Sequence, residues 1–145
     1  MRRGVLALFV ALAACAADAA DIGQVKVVKG TATIERGSET IEATVGARLQ
    51  ATDVVKTAAD SSIGITMTDN SLLSAGPNSV LSLDAYAFDP TTNEGRFDAS
   101  LRGGTLAIVS GRLAKQSPDA MTVRTPTATL GVRGTEFVVR ADAAR

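Results

Sequence analysis

Ile63-Gly64-Ile65-Thr66-Met67-Thr68 puts an apolar side chain at every second position. A strand points successive side chains to opposite faces, so a period of two belongs to a half-buried β-strand. A helix would repeat its apolar face at three and four. The same alternation continues on either side. Leu81, Leu83 and Ala85 alternate with Ser82 and Asp84, Leu106 and Ile108 flank Ala107, Met121 and Val123 flank Thr122, and Leu130 and Val132 flank Gly131. From Asp21 onward no stretch of a dozen residues holds an i, i+3, i+4, i+7 apolar face. The chain therefore reads as all-β.

Turn signals arrive at short intervals between these runs: Lys29-Gly30, Arg36-Gly37, Ala59-Asp60-Ser61, Asp69-Asn70, Gly76-Pro77-Asn78, Asn93-Glu94-Gly95, Gly103-Gly104 and Ser110-Gly111. Phe88-Asp89-Pro90-Thr91-Thr92-Asn93-Glu94-Gly95 reads as an exposed loop or wide hairpin. Val54, Ile63, Leu72 and Leu81 lie nine residues apart, a spacing that fits stacked coils of a solenoid or antiparallel hairpins of equal length. The expected fold is a single domain of short strands, a twisted β-sandwich or a short β-solenoid-like arrangement. Residues 21–140 form that domain, residues 1–20 precede it as a targeting segment, and 141–145 are a short tail.

Composition narrows the function. The chain has 145 residues, no Trp, four Phe and one Tyr, so its core is thin and aliphatic. Fifteen bases balance fifteen acids, and without Arg2 and Arg3 thirteen bases face fifteen acids. With no basic stripe and almost no aromatic surface for stacking, nucleic acid is not an expected partner. His is absent, which removes the commonest general base and the commonest transition-metal ligand. No cofactor or metal is expected.

Met1-Arg2-Arg3 followed by Gly4-Val5-Leu6-Ala7-Leu8-Phe9-Val10-Ala11-Leu12-Ala13-Ala14 has the basic and apolar regions of a signal segment. Its apolar run is too short for a stable membrane span. Leu12-Ala13-Ala14-Cys15 matches a bacterial lipobox, with Cys15 the residue that takes lipid, while Ala17-Asp18-Ala19 offers an ordinary cleavage pattern. The chain is expected to be exported, either as a soluble periplasmic protein or as an outer-membrane lipoprotein. In the second case it meets the membrane only through its lipid.

Two separated blocks carry a resemblance. Val45-Gly46-Ala47-Arg48-Leu49-Gln50-Ala51-Thr52-Asp53-Val54-Val55-Lys56-Thr57 leads into Ala58-Ala59-Asp60-Ser61-Ser62-Ile63-Gly64-Ile65, then Asp69-Asn70-Ser71-Leu72-Leu73 and Pro77-Asn78-Ser79. Later comes Val123-Arg124-Thr125-Pro126-Thr127-Ala128-Thr129-Leu130-Gly131-Val132-Arg133-Gly134-Thr135-Glu136-Phe137. Together they resemble a FecR-type domain from about Val25 to Val139. The resemblance implies an all-β periplasmic module, which in the namesake regulators relays a signal from an outer-membrane transporter to a cytoplasmic sigma factor. The anti-sigma and receptor-docking parts of such regulators have no counterpart in this sequence, so a stand-alone module is expected.

The last block supplies the candidate binding residues. Arg124 and Arg133 could offer guanidinium forks to a carboxylate or phosphate, with Glu136 beside them. Thr125, Pro126, Gly131, Gly134, Thr135 and Phe137 read as its structural frame. Asp53, Asp60 and Asp69 each stand alone at a turn, where a carboxylate caps backbone N–H groups. They do not share the compact spacing a calcium loop needs. Ser71, Ser74 and Ser79 have no His to activate them, and Lys56 and Lys115 are not spaced as partners for a Ser-Lys pair. The expected function is a non-enzymatic cell-envelope binding or scaffold module that contacts an envelope protein or polymer. The alternative is a periplasmic accessory in signal transduction, acting through a separate membrane protein.

Overall fold

A computed structural model describes residues 20–117, 119–132 and 136–142. Of these, 61% are in strands and 4% in helix. The strands in chain order are β1 (Asp21–Lys29), β2 (Ala32–Arg36), β3 (Glu39–Glu42), β4 (Arg48–Gln50), β5 (Val54–Thr57), β6 (Ser62–Met67), β7 (Leu72–Ala75), β8 (Val80–Phe88) and β9 (Gly95–Val109). After them come a one-turn helix α1 (Arg112–Gln116), β10 (Met121–Arg124), β11 (Thr129–Gly131) and β12 (Glu136–Ala141). They form one curled, mainly antiparallel sheet, a half-barrel, in the order β3-β2-β5-β8-β9-β7-β6-β1-β4.

The alternation that decides the fold class is visible in burial. Ile63, Ile65 and Met67 of β6 are buried while Ser62, Gly64 and Thr66 are half-buried on the other face. In β7, Leu73 and Ala75 point in and Leu72 and Ser74 point out. The inward residues of nearly every strand merge into one core, with Leu49, Leu81, Leu83, Phe97, Leu101, Leu106 and Ile108 at its centre. The nine-residue spacing is not a solenoid. Val54 lies opposite Ser82 and Ile63 opposite Ala75, both in antiparallel pairs, whereas stacked coils would pair in parallel.

β9 organises the whole. Its first half, Gly95 to Gly103, pairs antiparallel with β8, and Phe97 to Ser100 pair parallel with β10. Its second half pairs with β7 on one side and with β12 on the other. The hand-over falls at Gly103-Gly104, which the sequence reading places in a turn but which lies inside a 15-residue strand. Gly104 has φ +89°, and a Cβ there would sit 2.5 Å from Ser79 Cα. Only glycine accepts both the conformation and the contact. Ser79 Oγ accepts the Thr105 N–H at 3.0 Å and so fixes the bend from the neighbouring loop.

The expected hairpin between Phe88 and Gly95 is present. Asp89 N–H donates to Glu94 O at 2.8 Å, Asn93 N–H to Asp89 O at 2.7 Å, and Thr91 N–H to Asp89 Oδ1 at 2.8 Å. Asn93 takes φ +59°, a conformation Asn tolerates better than most residues.

Candidate binding surface

Several of the polar residues singled out in the sequence are buried inside the fold. Asp53 is fully buried and meets Arg36 through two bonds, Nε to Oδ1 at 2.9 Å and Nη2 to Oδ2 at 2.8 Å. It also accepts the Gln50 N–H at 2.8 Å. The hydrogen bond to Asp53 is the main reason the Arg36 pKa is raised. The pair ties the end of β2 to the turn before β5. Asp69, also fully buried, accepts Ser71 N–H at 3.0 Å and Ser71 Oγ–H at 2.7 Å. Its Oδ2 takes the Leu113 N–H of α1 at 3.2 Å, and its carbonyl takes that of Arg112 at 2.8 Å.

Tyr86 completes this node. Its hydroxyl donates toward Asp69 Oδ1 at 3.3 Å, accepts the Asp69 N–H at 3.1 Å and lies 2.8 Å from Thr68 Oγ1. Burial, more than any neighbour, pushes the Tyr86 hydroxyl up to about 12. Ser71 Oγ in turn accepts the Gly111 N–H at 2.9 Å. The node locks the β6–β7 turn to the start of the helix. It was missed from sequence because its partners lie 17 to 44 residues apart.

The turn-capping role read for the acids therefore holds for Asp53 and Asp69. Asp60 is exposed at φ +56°. Among the described residues no three His, Cys, Asp or Glu side chains are grouped to hold a metal. Ser79 and Thr57 serve the β5–β8 corner, with Thr57 Oγ1 accepting the Ser79 N–H at 2.9 Å. Lys56 pairs with Glu35 at 2.7 Å.

The outer face at the two ends of the sheet carries the remaining side chains, of which Ser82 is buried and Glu35 is paired with Lys56. On one end, register sets Arg124, Ser100, Ser82, Val54, Glu35 and Thr40 in a row across β10, β9, β8, β5, β2 and β3. Ser82 Oγ donates to Asp84 Oδ1 at 2.7 Å and Ser100 Oγ donates to Asp84 Oδ2. Arg124 is exposed at the end of this polar row. Thr125 and Ala128 close the turn that follows, with the Thr125 N–H bonded to Ala128 O at 2.8 Å and the Ala128 N–H to Thr125 Oγ1 at 3.1 Å. Pro126 is exposed in that turn, and Gly131 ends β11 with open space around it.

On the other end the outer face carries exposed apolar side chains among polar ones. Val27, Gly64, Ser74, Ala107 and Val138 form one row across β1, β6, β7, β9 and β12. Gln24, Thr66, Leu72, Val109 and Glu136 form the next. Val138 is 65% exposed, Val27 51% and Leu72 46%. Phe137 points the other way, half-buried against the core.

Among the described residues, Arg124 and Glu136 are not neighbours in the sheet. Arg124 aligns with Ser100 in the first half of β9 and Glu136 with Val109 at its end. Arg133, Gly134, Thr135 and Cys15 lie outside the described residues. A surface depression between Asp21, Gln24, Arg48 and Thr68 has a volume of about 200 Å³, below the ~300–1,000 Å³ usual for small-molecule sites. No helix among the described residues is long and apolar enough to cross a membrane.

Comparison with known proteins gives one match. A family model described as FecR protein covers residues 53–145, which is most of the chain. No curated protein and no solved structure matches it.

Proposed function

The chain belongs to the FecR family, and we propose that it works as a non-enzymatic binding module of the cell envelope, presenting its outer sheet faces to a protein or polymer partner. The observation that carries the reading is how the polar side chains are used. Asp53, Asp69, Ser71 and Ser79 are buried and committed to internal bonds. Arg124 is left exposed on the outer face, as are Val27, Leu72 and Val138. A surface of that kind suits contact with a macromolecule, and exposed apolar positions rimmed by polar ones mark such contacts.

Family membership suggests a signalling-related role in the periplasm, and a second reading follows from it without displacing the first. Here the chain is an accessory that couples to a separately encoded membrane protein. The two readings share a surface and differ in consequence.

The test is crosslinking and affinity capture of the full chain from the envelope. One dominant partner is expected, retained by the parent and by Lys56→Gln but lost with Arg124→Glu or Leu72→Asp. Capture that none of these substitutions alters would sink the binding reading. Deletion of the gene that changes sigma-factor-dependent transcription would select the signalling reading over a static scaffold.

A further inference from the structure

Among the described residues four strands end the sheet with an unpaired edge: β3, β4, β11 and β12. Proteins protect such edges by keeping them short or charged. β4 and β11 have three residues each, and β3 has four, two of them Glu39 and Glu42. β12 is different. Glu136-Phe137-Val138-Val139-Arg140-Ala141 is six residues long, holds no Pro or Gly, and has Val138 exposed at its centre. Its outward face reads Glu136, Val138, Arg140, and its inward face Phe137, Val139, Ala141.

That order is self-complementary. When a strand pairs antiparallel with its own copy about a two-fold axis normal to the sheet, opposite residues share a face and the axis must pass through a residue. With the axis at Val138, Val138 faces its counterpart and Glu136 faces Arg140 of the second copy in both directions. Phe137 then lies opposite Val139 on the core side. Shifting the axis to Phe137 or Val139 sets Val138 against a charge, and the second shift also sets Glu136 against Asp142. Arg140 lies only 3.9 Å from Asp142 at an exposed site, an arrangement worth little that leaves the guanidinium usable.

From this we infer that a second copy of the chain docks on β12, joining two sheets edge to edge through an antiparallel pair centred on Val138. The row Val27, Gly64, Ser74, Ala107, Val138 then continues across the axis into its counterpart. The contact is one short strand pair and falls short of the ~800 Å² per partner of a stable interface, so the dimer forms as concentration rises. The inference is independent of the proposed partner, which meets the sheet faces and not this edge.

Light scattering and sedimentation of the full-length chain, in detergent so that the apolar N-terminus does not itself associate, should show the mass rising to twice the monomer. The concentration range runs from micromolar to millimolar. Glu136→Arg alone and Arg140→Glu alone should each remain monomeric over that range, with circular dichroism unchanged. Mixing these two single variants should restore the dimer, as should combining both changes in one chain, because each arrangement again sets opposite charges face to face. A parent that stays monomeric overturns the inference. So does a dimer indifferent to the single reversals, or a mixture that fails to associate.

Discussion

Tyr86 is the chain's one tyrosine, and its hydroxyl holds a central place in the node around Asp69. Its pKa is raised from 10.0 to about 12, first because burial penalises the phenolate and also because the Asp69 charge opposes it. A folded value above the unfolded one means the neutral hydroxyl stabilises the native state. That contribution is whole below pH 10 and is lost as pH rises through about 12. Alkaline titration followed by phenolate absorbance should therefore show a midpoint near 12 in the folded protein and near 10 in denaturant. Tyr86→Phe should flatten the fall in stability across that interval relative to the parent. A folded midpoint close to 10 would mean that the hydroxyl is not held as described. At this scale little was legible beforehand. Asp53, Asp60 and Asp69 look alike in sequence, each beside a turn, and only the long-range partners Arg36, Tyr86 and Leu113 show which two are buried.

Strands are more transparent than side chains because their signal is local. β5, β6 and β7 alternate in burial residue by residue, and the pattern needs only the chain's own order to be read. β9 defeats that logic. Gly103-Gly104 carries the residues of a turn, yet the chain continues as strand because β7 and β12 take over from β8 and β10 at that point. The helix α1 is equally hidden, being five residues long and capped by a carboxylate from the β6–β7 turn. The bend at Gly104 sets a clear expectation. Gly104→Ala combines a left-handed backbone, at about 1–2 kcal/mol, with contact on Ser79 backbone at 2.5 Å, and should lower stability by about 3 kcal/mol or more. Gly37→Ala has φ +60° but open space around it, so it should cost only the backbone share, about 1–2 kcal/mol. Urea melts of the two variants beside the parent make the comparison. Equal losses would show that the close approach to Ser79 is not limiting.

In the whole molecule the folding unit is larger than the segment that identifies the family. The matched residues start at Asp53, yet β1 pairs with β6 and β2 with β5. Val25, Ile34 and Leu49 bring fully or almost fully buried side chains to the common core. A chain beginning at Asp53 should accordingly fail to fold, with a disordered far-UV spectrum and no cooperative melt, whereas 20–145 should melt as one transition. A cooperative 53–145 fragment would contradict a single core. All-β architecture was evident from the sequence, but the choice between sandwich and solenoid was not, because equal spacing does not say whether neighbours run parallel or antiparallel. The central place of β9 also bears on how the chain acquires its structure in time. Four strands, two before it and two after, lean on residues 95–109, so the two ends of the sheet stay unjoined until that stretch is in hand. Such dependence on distant pairings belongs to slow folders, on the order of milliseconds to seconds. Until those pairings form, the chain stays open and within reach of chaperones for longer than one built from local contacts.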